Sequence, residues 1–165
     1  MRMSRFAGLL FAAALMSPAF AGTAAAAPAM APKQDKTQDI VLAPFHAFVD
    51  ATNRGDTKAA AAPYARGAVI IDEFAPFMWR GKAFAGWYAD LGSWAKANGI
   101  AGLHIATAAP AQFETAKDTA YAIVPTHLTF TAKGKPASED GTFTVSLKHY
   151  KSGWRIAGWA WTTKH

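Results

Sequence analysis

The spacing of apolar residues changes along the chain from a helical to a strand period, and this change constrains the fold most. Early on, apolar residues recur every three or four positions, most clearly at Phe84, Trp87, Tyr88, Leu91 and Trp94. From residue 103 the period becomes two, in segments 103–107, 111–114, 120–131, 141–150 and 154–162 separated by turn residues. Helices gathered early and antiparallel strands gathered late predict an α+β fold, with helices covering one face of a curved sheet.

The N-terminus has the pattern of a secretory signal. Arg2 and Arg5 precede an apolar run over residues 6–16, and residues 19–21 (Ala-Phe-Ala) offer a small-x-small cleavage site. The run is shorter than the roughly 20 apolar residues that span a bilayer. We expect cleavage after Ala21, with cleavage after Ala27 or an uncleaved anchor as the alternatives. The predicted organisation is a signal peptide over 1–21, a flexible Ala/Pro-rich leader over 22–38 and one domain over 39–165, exported to the periplasm or secreted.

Composition narrows the classes of function. The chain has no Cys, which excludes thiol nucleophiles and thiolate metal sites. Loss of the two signal arginines would lower the net charge from +6 to +4, and the remaining Lys residues are scattered. A nucleic-acid surface would gather them into a stripe. We therefore expect no nucleic-acid partner, and no membrane partner once the signal is removed.

Two adjacent carboxylates, Asp72 and Glu73, follow an apolar strand and precede a Pro-containing turn. Alternation along a strand sends one side chain inward and the other outward. We expect Asp72 to point inward, where a charge among apolar walls marks a candidate site. The alternative is a solvated strand end, or an ion pair with Arg80 across the hairpin.

The order of elements resembles the nuclear transport factor 2-like superfamily, which includes SnoaL-like proteins and ketosteroid isomerases. The residues that carry the resemblance are Gly55-Asp56 between the first two helices, residues 68–72 before the hairpin, and segments 72–81, 121–126 and 153–161. The resemblance implies a cone-shaped curved antiparallel sheet packed on three N-terminal helices, with a pocket at its open end. It covers residues 39–163, and the fold alone does not assign a function.

The isomerase comparison implies roles for particular positions. Asp72 stands where the isomerases carry their catalytic base. Phe48 stands where they carry an oxyanion-stabilising Tyr, and Ser146 or a register neighbour where they carry a protonated Asp. Phe48 cannot donate a hydrogen bond, and loss of oxyanion donors costs several kcal/mol of transition-state stabilisation. Steroid isomerase chemistry is therefore not expected.

Aromatic residues supply the expected walls of the pocket. Asp72 is predicted to lie between Phe48, Phe74, Phe77 and Trp79, with Trp79 and Tyr88 near the mouth. Trp87 and Leu91 are predicted to be core. Trp159 and Trp161 share one strand face, and could line the cavity or pack in a sheet-mediated dimer. We expect the dimer, and therefore a homodimer.

The five His residues are isolated in sequence, with no zinc-binding spacing, so no metal or cofactor is expected. His127 could face Asp72 inside the cone and form a general acid/base pair, whereas the alternative is a hydrogen-bonded His of the sheet.

Three functions stay open. The first is an exported domain that binds a small apolar or aromatic molecule. The second is a cofactor-free lyase, isomerase or cyclase with Asp72 as base, helped by His127 or Tyr88. The third is a structural dimerisation or interaction module. A deep cavity in which Asp72 and His127 converge favours the enzyme, and a filled cone favours the interaction module.

Overall fold

The computed structural model describes residues 36–164, which form three helices and a seven-stranded sheet. The helices are α1 (Lys36–Asn53), α2 (Thr57–Ala61) and α3 (Ala83–Asn98). The strands are β1 (Tyr64–Ile71), β2 (Met78–Trp79), β3 (Ile100–Thr107), β4 (Gln112–Ala116), β5 (Thr119–Ala132), β6 (Lys135–Tyr150) and β7 (Gly153–Thr163). The predicted signal over 1–21 lies outside the described residues, as does the leader up to residue 35.

The sheet has the strand order β2-β1-β7-β6-β5-β3, with β4 pairing to β5. The predicted α+β class is confirmed, but the sheet is mixed because β1 and β7 run parallel. All other pairs are antiparallel. Side-chain alternation carries no information about strand direction, and β1 and β7 are not joined by a hairpin that would impose one.

Two helix boundaries carry local signals, at Asp56 and at Gly99. Helix α1 begins at Lys36, three residues before the predicted domain boundary at 39. Asp56 caps α2, because its Oδ1 accepts a hydrogen bond from the Ala59 amide at 2.9 Å. Gly99 ends α3 in the left-handed conformation, with φ of 67°. Within residues 36–164, no helix is long and apolar enough to cross a bilayer.

The core lies between α1 and the inner face of β5, β6 and β7. Phe45 and Phe48 of α1 are fully buried, and Phe48 stacks on the Trp159 ring with a centroid distance of 6.0 Å. Trp159 Nε1 donates to the buried Tyr64 hydroxyl at 2.6 Å, which satisfies the indole in the interior.

Trp159 and Trp161 therefore face inward, with only 3% and 7% of their surface exposed. The expectation that they form an exposed dimer face is wrong. The strand does alternate, but the aromatic positions lie on the helix-covered face, and Ala160 and Thr162 lie on the other.

Candidate functional site

A cavity of about 510 Å³ opens between α3, the start of β3 and the inner face of β5, β6 and β7. Its volume is within the range of small-molecule sites. Eight of the described residues in its walls are aromatic: Phe74, Trp87, Tyr88, Trp94, Phe130, Phe143, Trp159 and Trp161. Gly92 and the β3 residues 100–103 lie at the edge of the same cavity. The cone is thus hollow at this end.

Asp72 lies in the cavity wall, held by two hydrogen bonds. Strand β1 ends at Ile71, and the chain then bends so that Asp72 Oδ1 accepts from the Glu73 amide at 2.7 Å. Its Oδ2 accepts from Trp87 Nε1 on α3, also at 2.7 Å. The alternative ion pair with Arg80 does not form, and the Arg80 Nε donates to Met78 Sδ instead. Asp72 therefore ties the end of β1 to α3 at the cavity wall.

Burial raises the pKa of the Asp72 carboxyl above its ordinary value of 3.8. The hydrogen bonds from Trp87 and from the Glu73 amide oppose this shift, since they favour the charged form. The negative charges of Glu73 and Glu139 raise the pKa further. Desolvation is the largest of these effects, so Asp72 takes up a proton at higher pH than a carboxyl in water.

Two further carboxylates, Glu73 and Glu139, line the cavity and meet at Thr163 near the end of β7. Glu73 accepts from the Thr163 amide at 2.8 Å and from its hydroxyl at 2.5 Å. The same hydroxyl lies 2.8 Å from Glu139 Oε1. Sequence reasoning missed Glu139, although its two-residue spacing from Gly141 and Phe143 puts it on the inner face of β6.

His127 lies on the outer face of the sheet, so the predicted Asp72–His127 pair does not form. Its side chain is 49% exposed, and its Nδ1 lies 2.7 Å from Asp140 Oδ1 on the paired strand. The neighbouring Thr126 takes the inward position and is 5% exposed. When two adjacent residues on a strand are both polar, the sequence does not indicate which of them points inward. The structure has the alternative, a hydrogen-bonded His of the sheet.

The predicted wall residues divide into two groups. Phe74 and Tyr88 line the cavity. Phe48, Phe77 and Trp79 are not among its lining residues. Phe48 is core behind Trp159, and Phe77 is 57% exposed beyond the turn. Trp79 is buried against Phe74, with ring centroids 5.0 Å apart, and its Nε1 donates to Asp90 of α3 at 2.8 Å. The hairpin therefore contributes Phe74 to the cavity wall, and Trp79 of its returning strand supports Phe74 without lining the cavity.

The positions compared with ketosteroid isomerases lack oxyanion donors. Phe48 has no donor, and Ser146 is exposed on the outer face of β6 because Val145 and Leu147 point inward. Its register neighbours Val145 and Leu147, which take the inward positions, are apolar. Within residues 36–164, no group of three His, Asp or Glu side chains is arranged to hold a metal ion.

Several solved structures share this fold at low sequence identity. A ketosteroid isomerase-like protein from Erwinia carotovora atroseptica superposes with a TM-score of 0.63 at 20% identity, covering 80% of this chain and 99% of that one. A putative aromatic ring hydroxylase from Novosphingobium aromaticivorans gives 0.65 at 14% identity, covering 80% and 93%. LinA gives 0.65 at 12% identity, covering 78% and 86%. At these identities the likeness shows the fold alone.

No curated protein matches the chain. The family described as "SnoaL-like domain" matches residues 41–160, which include nearly every helix and strand described above. Since that match spans most of the sequence, the protein belongs to the SnoaL-like domain family.

Proposed function

We propose that the protein is an exported homodimeric domain that binds a small, mostly apolar molecule with a flat ring system in the cavity. The observation that carries the proposal is the hollow end of the cone, about 510 Å³ with eight aromatic side chains in its lining. Open volume of this kind favours ligand binding over a purely structural module, whose interior would be filled. Aromatic walls favour a flat partner, because rings stack face to face or edge to face.

Gly92 offers a direct test, because it lies on α3 at the edge of the cavity. A Cβ built there meets no atom within 4 Å, so a larger side chain enters open space. Gly92→Phe is expected to obstruct the cavity and weaken binding of the neutral fluorophore N-phenyl-1-naphthylamine by at least about tenfold, or 1.4 kcal/mol. Fluorescence titration measures the change.

Gly92→Ala is the matched control. It adds one methyl group and keeps the cavity open, so fluorophore binding should match that of the unmodified protein. Both substitutions raise helix propensity relative to Gly, by about 0.3 to 1 kcal/mol, so lost binding in the Phe variant would not reflect a weakened helix. A Phe variant that binds the fluorophore as tightly as the unmodified protein would refute the proposal.

A second candidate function is proton abstraction by Asp72. The raised pKa of a carboxylate in an apolar cavity supports this, because a base with a higher pKa accepts a proton more readily. His127 cannot assist from the outer face, so Asp72 would act with Tyr88, whose ring lines the same cavity.

A generic carbon acid tests this candidate without knowledge of the natural substrate. In 5-nitrobenzisoxazole, a base removes the ring C–H proton as the N–O bond opens to the cyanophenolate. If Asp72 is a base, the protein accelerates this reaction, and Asp72→Asn lowers the rate by about a hundredfold, as general-base contributions indicate. Glu114→Gln, an exposed carboxylate on β4, serves as control. A rate unchanged in Asp72→Asn would exclude this role.

Export is proposed from the N-terminal sequence alone. The basic residues, the apolar run and the Ala-Phe-Ala motif predict cleavage after Ala21, with Ala27 as the alternative. N-terminal sequencing of the protein recovered from periplasm or medium checks this expectation. A chain that retains Met1 in a membrane fraction would contradict it.

A further inference from the structure

The charge of the cavity lining is opposite to that of the whole chain. Among residues 36–164, three that line the cavity are acidic, Asp72, Glu73 and Glu139, and none that lines it is Lys, Arg or His. The chain as a whole carries a net charge of +6. The ion pairs among residues 36–164 are His127–Asp140 and Lys148–Asp118, so none of the three cavity carboxylates has a counter-ion there. They form a negative region in which Asp72 and Glu139 are half-buried and Glu73 is exposed.

The same corner of the cavity has more acceptors than donors. A single Thr163 hydroxyl lies within hydrogen-bond distance of both Glu73 and Glu139, yet it has one proton to donate. Glu139 Oε2 accepts no hydrogen bond from the described part of the chain. Each carboxylate oxygen can accept more than one hydrogen bond. A ligand that brings N–H donors and a positive charge would therefore complement this corner.

Aromatic faces adjoin the carboxylates. On the inner face of β6, Gly141 separates Glu139 from Phe143, and the Trp161 indole lies directly over Gly141. A Cβ at Gly141 would stand 2.3 Å from Trp161 Cζ2, so this close approach needs a glycine. Indole faces attract cations within about 6 Å of the ring centroid. An indole beside carboxylates favours organic cations over neutral or anionic molecules.

Resting on the proposed function, we propose that the ligand of this cavity is an organic cation, an amine on a flat apolar body. Its ammonium group binds at Glu139, Asp72 and the Trp161 face, and its rings lie against the aromatic walls. An anion would be repelled by three carboxylates that form no ion pair with any described residue. A neutral apolar ligand would take water away from those carboxylates and return no hydrogen bonds.

Three probes of one shape separate these possibilities: 1-naphthylmethylamine, which is a cation at neutral pH, 1-naphthalenemethanol, which is neutral, and 1-naphthaleneacetate, which is an anion. By calorimetry at low ionic strength, the cation is expected to bind about tenfold or more tighter than the alcohol, with the anion weakest, since a charge-assisted hydrogen bond contributes that much. The preference should decrease as salt is added.

Glu139→Gln removes one charge while keeping the side-chain length, and should lower the cation-to-alcohol affinity ratio to about two or below, given the loss of one charge-assisted contact. Glu114→Gln is the matched control, because it removes an exposed carboxylate outside the cavity and should leave the ratio unchanged.

Equal affinity of the amine and the alcohol for the unmodified protein would overturn this inference and leave an apolar binding cavity standing. A ratio that persists in Glu139→Gln would overturn the placement of the ammonium group. If neither these probes nor N-phenyl-1-naphthylamine bind, the proposed function itself fails.

Discussion

Each of the two carboxylate oxygens of Asp72 accepts a hydrogen bond, which an amide side chain cannot reproduce. Glu73 N donates to one oxygen and Trp87 Nε1 to the other. Asn has a single acceptor oxygen, so Asp72→Asn must leave one of these donors facing an NH₂ group. We expect this variant to fold but to lose about 1 to 2 kcal/mol of unfolding free energy, the usual cost of an unsatisfied partner. Denaturant unfolding measures the loss. A variant as stable as the unmodified protein would show that the Trp87 contact contributes nothing.

The free energy of unfolding should depend on pH through the protonation of Asp72. Folding raises the pKa of Asp72 above 3.8, mainly through burial, so between 3.8 and the folded pKa the folded state binds more protons than the unfolded state. Stability contributed by Asp72 therefore decreases as pH rises through this window. The unmodified protein should gain stability relative to Asp72→Asn as pH falls through it, as measured by denaturant unfolding at successive pH values. A difference that shrinks on acidification would reverse the sign and contradict the shift.

At single residues, the sequence indicates Asp72 but not its partners. A charge directly after an apolar strand is conspicuous in any register, which is why its place could be predicted. His127 could not be placed in the same way, because Thr126 and His127 are both polar and a slip of one residue exchanges the inner and outer faces. Glu139 lies beyond the apolar part of β6, and only its spacing from Phe143 indicates that it faces inward.

Among the elements, close packing of β6 against β7 depends on Gly141. Gly141→Ala would place its Cβ 2.3 Å from Trp161 Cζ2 and 2.8 Å from the Thr162 carbonyl oxygen. Trp161 is buried and cannot swing into solvent at low cost, so we expect a loss of about 1 to 3 kcal/mol in unfolding free energy, typical of overpacking. Since the displaced indole lines the cavity, probe affinity should also decrease. Ser146→Ala, on the exposed face of the same strand, should change stability by less than about 0.5 kcal/mol.

The elements differ in how far the sequence predicts them. Helix α3 has dense helical spacing and a Gly stop, and the β5–β6 and β6–β7 turns carry Gly next to Lys or Ser, so local residues suffice. The parallel pairing of β1 with β7 joins segments some 90 residues apart and depends on which edge is left free. Strand β3 has a bulge between Ala101 and His104, and residues 100–103 lie at the cavity edge. The position of this bulge depends on the pairing with β5 and not on local sequence alone.

For the molecule as a whole, the outer face of the sheet is the surface through which we expect two copies to associate. The row Ile123, Thr144 and Ala160 crosses its centre on β5, β6 and β7, and each of these side chains is half-buried and small or apolar. The helices pack against the opposite face, so this one is left for a partner. Small side chains on neighbouring strands make a flat surface that a second copy can match by two-fold symmetry.

Sedimentation velocity at micromolar concentration is therefore expected to show a dimer. Thr144→Arg places a charge at the centre of the row, where burial in an interface without a partner is costly, and should shift the protein to monomer. Ser93→Arg adds the same charge on the exposed side of α3 and should leave the dimer intact. The cavity opens on the inner side of the sheet, so the monomeric variant should still bind N-phenyl-1-naphthylamine with unchanged affinity. An unmodified protein that sediments as a monomer would exclude this assembly, and binding lost together with the dimer would mean that the partner helps to close the cavity.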